Sequence, residues 1–232
     1  FYRSAKRIDI DIPKPFEELR AMVLDFCRKI DSPDAMAYVQ ATRGVGMRGH
    51  AYRFAGGTPS LWVWVKPDML DPMDRSYKAI TMEDTRYFHC DIKTINLLPA
   101  VIYTQRAEEA GCDETILHRG DRVTECAHSN VHILKDGALK TAPCDNLILP
   151  GITRAHRIAQ CREMGIPVIE EPFTVREMME ADEVFFTSAS ALCCRIEEID
   201  GQKVGGRAPE LIARIQKAAW DEALAEVRQI NG

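Results

Sequence analysis

The chain has 232 residues, 46% of them hydrophobic, enough to bury a sizeable core as one large domain or two small ones. Its net charge is −5, with acidic and basic residues mixed along the sequence, which argues against a non-specific nucleic-acid binder and its basic surface. No stretch is apolar and long enough to cross a bilayer, and residues 1–7 do not read as a signal peptide.

Elements follow in chain order. The chain opens without a methionine on what reads as a helix end, so a preceding segment is expected. Apolar residues at helical spacing (Phe16, Leu19, Met22, Val23, Phe26) predict a helix over 15–30, and 35–42 reads as a strand. A loop, Arg43-Gly44-Val45-Gly46-Met47-Arg48-Gly49-His50, comes next. Residues 61–65 and 79–82 are β-rich, and Pro67, Asp71 and Pro72 between them mark a boundary, dividing a lobe over 1–70 from a larger one over 71–232. A helix is predicted from just after Lys93 to about 110, stopped by Gly111. Strands follow over 114–118 and 123–135, the latter closed by an Asp136-Gly137 hairpin turn. A short apolar strand over 147–149 leads into a helix ending near Gly165. Strands over 167–169, 184–188 and 195–199, a short helix over 175–181 and a long one over 209–230 complete the chain. Strands and helices mix without a strict βαβ rhythm, which predicts a mixed α/β (α+β) fold.

The eight cysteines form no CxxC pair, and the six histidines no HxxxH cluster. Reduced thiols, a cytoplasmic location and no metal site are the expectation. Lys93 lies in Asp91-Ile92-Lys93-Thr94-Ile95-Asn96-Leu97-Leu98. Apolar surroundings favour the neutral amine, which condenses with aldehydes, the resting linkage of a pyridoxal phosphate enzyme. Local context alone does not separate that role from a lysine that snorkels to solvent.

Three further features bear on it. Glu125 is a carboxylate of the kind that keeps a pyridine nitrogen protonated. Gly151-Ile152-Thr153-Arg154 opens a helix with free N–H groups, a hydroxyl and room for close approach, the make-up of a phosphate site. Thr187-Ser188-Ala189-Ser190 places small hydroxyl residues where a buried strand ends.

In this order the segments resemble the fold-type IV pyridoxal phosphate enzymes, the family of D-amino acid and branched-chain aminotransferases. Glu125, Ala127, Asn130 and Val131 fill the first half of the family signature. Leu139, Thr141, Leu149, Gly151, Ile152 and Arg154 complete it, and His132 stands where the family usually places Phe or Tyr. The segment from Lys93 to Leu98 and the Arg43–His50 loop resemble the D-amino acid aminotransferases in particular.

The resemblance implies a two-lobed enzyme with pyridoxal 5′-phosphate between the lobes. Lys93 would be the Schiff-base lysine and proton shuttle, Glu125 the partner of the pyridine nitrogen, and Leu149 the residue packed on the ring. Gly151, Ile152, Thr153, Ser188, Thr187 and Ser190 would hold the phosphate. Arg48 and His50 would grip the α-carboxylate of an amino acid or 2-oxo acid in the other subunit of a homodimer. It also implies a preceding segment with a phosphate-binding arginine and a substrate tyrosine. Branched-chain L-amino acid or (R)-amine transamination, 4-amino-4-deoxychorismate lysis, and a cofactor-free dimeric scaffold are the alternatives.

Overall fold

The structure is a computed structural model that describes residues 1–32 and 34–231. These form two compact units, Phe1–Met69 and Leu70–Gly232.

In the first unit a short helix α1 (Tyr2–Arg7) precedes α2 (Phe16–Arg28). Glu17 and Glu18 occupy the first turn of α2, where acidic side chains favour the helix dipole, and Leu19 is its buried anchor. Strands β1 (Ala35–Thr42) and β2 (Ser60–Pro67) pair antiparallel, from Ala35 opposite Pro67 to Thr42 opposite Ser60. Tyr38 stacks on Trp64 across the pair at 5.1 Å.

The second unit holds a nine-stranded mixed sheet. Its strands are β3 (Tyr77–Glu83), β4 (Glu114–Arg119), β5 (Arg122–Cys126), β6 (Asn130–Lys135), β7 (Ala138–Thr141), β8 (Val168–Glu170), β9 (Glu183–Thr187), β10 (Cys194–Ile199) and β11 (Gln202–Lys203). The order is β5-β4-β3-β10-β9-β6-β7-β8, with β11 paired to β10. Helices α3 (Leu98–Glu109), α4 (Ile152–Glu163), α5 (Val175–Met179) and α6 (Pro209–Asn231) accompany it. One apolar cluster gathers Ile116, Val131, Val184, Phe186 and Ile196. A second joins Leu134, Leu139 and Phe185 to Ile158 of α4 and Ile212 and Ile215 of α6. Alternate residues of β6 and β9 thus serve opposite faces, as the two-residue period requires.

Asp136 and Gly137 turn the β6–β7 hairpin with φ of 50° and 77°, the left-handed pair that a two-residue hairpin demands.

Three expected elements differ from the observed ones. The strand expected over 123–135 breaks at 127–129, where Cys126 N donates to Ser129 O at 2.8 Å. Its two halves pair with different neighbours, β5 with β4 and β6 with β9 and β7. Residues 147–149 are not a strand, because side chains take their backbone groups. Leu147 N donates to Asp145, Leu147 O accepts from Arg86, Leu149 N donates to Glu125 and Leu149 O accepts from Asn130. Helix α3 begins at Leu98, which leaves Lys93 in an irregular stretch rather than at a helix start.

Candidate active site

The turn at 127–129 folds β5 back on β6 and brings Glu125 beside Asn130. Glu125 is 5% exposed. Its Oε2 accepts from Asn130 Nδ2 at 2.9 Å and from Leu149 N at 3.0 Å, which uses both lone pairs of that oxygen. Oε1 accepts from Arg86 Nη1 and keeps a lone pair for one more donor, the role a protonated pyridine nitrogen fills. Burial pushes the Glu125 carboxyl up to about 7, against the downward pull of Arg86 and the Leu149 amide. Arg86 holds its own proton more tightly than usual: burial opposes this, but Asp84 and Glu125 outweigh it. A cation placed at Oε1 would tip the carboxyl toward its ionised form.

Asn130 Nδ2 also donates to Leu149 O at 2.9 Å, so one side-chain amide fixes both Glu125 and the approach to Gly151. A Cβ on Gly151 would lie 2.1 Å from Asn130 Oδ1. The close approach expected of this glycine is therefore to Asn130, inside the protein.

Gly151 caps α4, whose first helical bond runs from Ala155 N to Gly151 O at 3.0 Å. The N–H groups of residues 152–154 consequently have no acceptor within the helix and sit at its positive end. Thr153 Oγ1 donates to Ser188 O at 2.7 Å, which joins this helix start to the loop after β9. Ser188 Oγ accepts from Ser190 N at 3.2 Å and Ala191 N at 3.0 Å, and lies 3.3 Å from Ser190 Oγ. These amides and the Ser188 hydroxyl suit a phosphate.

The other hydroxyls expected there face inward. Thr187 is 1% exposed, with Oγ1 2.9 Å from His132 Nε2. Ser190 Oγ donates to Asp71 Oδ2 at 2.7 Å, and the Thr153 hydroxyl proton is committed to Ser188. Short hydroxyl side chains at a strand end satisfy nearby groups first. His132, in place of the family's usual Phe or Tyr, stacks on Phe185 at 4.7 Å. Burial, with Arg154 and Arg157 nearby, lowers its pKa to about 3, so it is a neutral ring at pH 7.

Lys93 departs from expectation. It is exposed, and so are Ile95, Leu97 and Leu98; of its apolar neighbours Ile92 is buried. The apolar enclosure inferred from sequence is not supplied by these residues. The stretch carrying Lys93 is nonetheless tied to the site, because Arg86 bonds Glu125 and Leu147 O, and Cys90 N donates to Asn146 O at 3.1 Å.

Arg48 and His50 lie exposed in the loop after β1. In that loop Arg43 lies over the Tyr52 ring at 3.8 Å and bonds Ile8 O. His156, Glu222 and Glu226 bring ligand atoms within 4.8 Å of one another. Glu222 is already committed to His156, Arg157 and Gln160, so the group reads as an α4–α6 clasp.

Sequence reasoning missed Asp84, Arg86 and Arg119. The available signal was physical: a buried glutamate needs a cation, and Asp84-Thr85-Arg86 supplies one already paired.

The amino-transferase class IV family profile matches residues 1–199. A D-alanine aminotransferase of Staphylococcus haemolyticus is 39% identical over 207 residues, which are 88% of this chain and 73% of the relative. Among solved structures, the branched-chain amino acid aminotransferase of Escherichia coli superposes with a TM-score of 0.81 at 27% identity, covering 94% of this chain and 74% of the other. A putative 4-amino-4-deoxychorismate lyase of Legionella pneumophila shares the fold, with a TM-score of 0.79 at 22% identity over 93% of this chain and 81% of the other. The mixed α/β fold and this site define an aminotransferase that depends on pyridoxal phosphate. The chain belongs to the class IV aminotransferase family. Its free Glu125 lone pair, its unbonded helix-start amides and the Ser188 hydroxyl fit that cofactor.

Proposed function

We propose that the protein is a D-amino acid aminotransferase that moves an amino group between a D-amino acid such as D-alanine and a 2-oxo acid by a ping-pong mechanism. The observation that carries this reading is the pairing of a buried Glu125 with an open Oε1 lone pair and an anion-ready start of α4, both fixed by Asn130. Pyridoxal phosphate supplies an aldehyde and an electron-withdrawing ring.

Lys93 Nζ would hold the cofactor at its aldehyde and would serve as acid and base for the substrate Cα proton. Glu125 Oε1 keeps the ring nitrogen protonated, and Leu149 packs on the ring. The amides of Ile152 and Thr153, with Gly151 before them and the Ser188 hydroxyl beside them, hold the phosphate. Thr187 and Ser190 shape that loop from behind. Arg48 and His50 offer a guanidinium fork and an imidazole to the substrate carboxylate of a neighbouring subunit.

A homodimer is part of the reading. Leu98, Val101 and Ile102 form an apolar stripe at helical spacing on α3, exposed at 70%, 62% and 46%. With the exposed Ile95 and Leu97 it follows Lys93 closely in the chain, so a second copy covering these residues would add the apolar enclosure a neutral amine needs. Sedimentation equilibrium is expected to give twice the chain mass; a monomer at micromolar concentration rejects the dimer. The eight cysteines, all free thiols, suit a cytoplasmic location.

The D-series is favoured over the branched-chain reading because the curated relative at 39% identity is a D-alanine aminotransferase, whereas the branched-chain neighbour stands at 27%. The deciding experiment is a half-reaction. D-alanine is expected to convert the near-visible absorbance of the cofactor-loaded protein to that of the amine form, and L-leucine to leave it unchanged. The reverse pattern assigns the branched-chain reading, and pyruvate release from aminodeoxychorismate without an amino acceptor assigns the lyase.

A further inference from the structure

Arg86 spans two buried carboxylates. Its Nε donates to Asp84 Oδ1 at 2.9 Å and its Nη2 to Asp84 Oδ2 at 3.0 Å, the two-pronged geometry of a guanidinium fork. Nη1, the remaining edge, bonds Glu125 Oε1, and Nη2 also reaches Leu147 O at 3.0 Å. The Asp84 side chain is 0% exposed, that of Arg86 12% and that of Glu125 6%. Asp84 is in turn held by Arg119 Nε at 3.2 Å and by Thr124 Oγ1 at 3.1 Å, while Arg119 Nη2 donates to Arg86 O at 2.7 Å.

This arrangement leaves Arg86 no freedom to turn away. A clamp of such rigidity is more than charge balance needs, since Arg119 already reaches Asp84 from its other side. What it fixes is the direction of the one Glu125 oxygen that keeps an open lone pair. We propose that Arg86, locked by Asp84, is a positioning residue that aims Glu125 Oε1 at the cofactor ring nitrogen and keeps that carboxylate ionised. The inference rests on the pyridoxal phosphate reading above.

The charged and titratable groups around Glu125 are Asp84, Arg86 and Cys90 after β3, Arg119 at the end of β4, Cys126 on β5 and Cys144 after β7. Burial raises all three thiols, so none of them is charged near pH 7. Burial also raises Asp84, but Arg86 and Arg119 outweigh it and hold the carboxyl below its usual range. Arg86 is therefore the cation that counters the desolvation of Glu125.

The sign follows from these groups. Glu125 acts as the ionised form, so activity falls as pH drops through its pKa. Without Arg86 that pKa rises, and the acid limb moves to higher pH.

Arg86→Met is expected to shift the acid limb of the kcat profile upward by about one pH unit, equivalent to about tenfold in rate on that limb. Pyridoxal phosphate affinity of the unloaded protein, read by equilibrium dialysis, is expected to fall about tenfold in step. Arg86→Lys keeps the charge without the fork and is expected to lie between. Combined with Glu125→Gln, Arg86→Met is expected to cause no further loss of affinity, because its effect passes through Glu125. A wild-type acid limb and affinity in Arg86→Met overturn the inference, and so does an equal loss in both backgrounds. If Arg86→Met fails to fold, Arg86→Gln serves, with a shift of the same direction; no shift overturns the inference there. Failure of the wild-type protein to bind pyridoxal phosphate overturns the functional reading itself and this inference with it.

Discussion

Lys93→Ala is expected to leave a folded protein that no longer turns over. Its side chain is exposed in a single copy, so the substitution removes little packing within the chain, and changes of this kind move the stability of the subunit by about 0.5 kcal/mol or less. The chemical loss is of another order. One amine serves as both the covalent anchor and the proton carrier, and losing both costs roughly 10³-fold or more in kcat. Borohydride treatment followed by mass spectrometry gives a readout independent of rate. The wild-type chain is expected to gain the mass of reduced cofactor at the peptide containing Lys93, and the variant to gain none. Full turnover by Lys93→Ala, or fixation of the cofactor at another lysine, would sink the assignment of this residue.

The exposure of Lys93 also marks where sequence reading stops. The apolar flanks of Lys93 are visible in one dimension, but which chain covers them is not. Ile95, Leu97 and Leu98 face solvent in a single copy. The strand ladder was far more legible, because burial on one or both faces writes its period into the side chains. All five residues of β9 are buried, and its apolar run stands out. Residues 147–149 have the same apolar look and no ladder. Their backbone partners are side chains from 2 to 61 positions away, which no local pattern records.

The site divides in the same way. Glu125, Gly151 and Ser188 stand out in the sequence because their residue types would suit a ring nitrogen and a phosphate. Arg86 lies 39 residues before the carboxylate it holds and becomes evident only when the folded chain joins them. The hydroxyls of Thr187 and Ser190 show the converse. Their composition fits a phosphate, and their geometry commits them to His132 and Asp71.

Gly151→Ala is expected to be destabilising at a position where the backbone alone predicts the opposite. Gly151 has φ −63° and ψ 138°, ordinary for any residue, and at such sites glycine to alanine commonly stabilises by about 0.4–1 kcal/mol. The obstacle is Asn130 Oδ1, 2.1 Å from where the new Cβ would stand, with Cγ at 3.3 Å. Either α4 shifts at its first turn or Asn130 turns away and gives up its bonds to Glu125 and Leu149 O. Losing buried polar partners costs about 1–3 kcal/mol, which exceeds the backbone gain. At about 2–4 °C per kcal/mol for a chain of this size, Tm is expected to fall by several degrees. Cofactor affinity is expected to fall with it, because the helix-start amides and Glu125 move together. Asn130→Ala supplies the control. In that background the space is open, so Gly151→Ala should add almost nothing to the loss, a departure from additivity that contact between the two residues requires. A stable Gly151→Ala protein with wild-type cofactor affinity would show that Asn130 yields freely, and that the glycine is not what keeps Glu125 and the phosphate site in register.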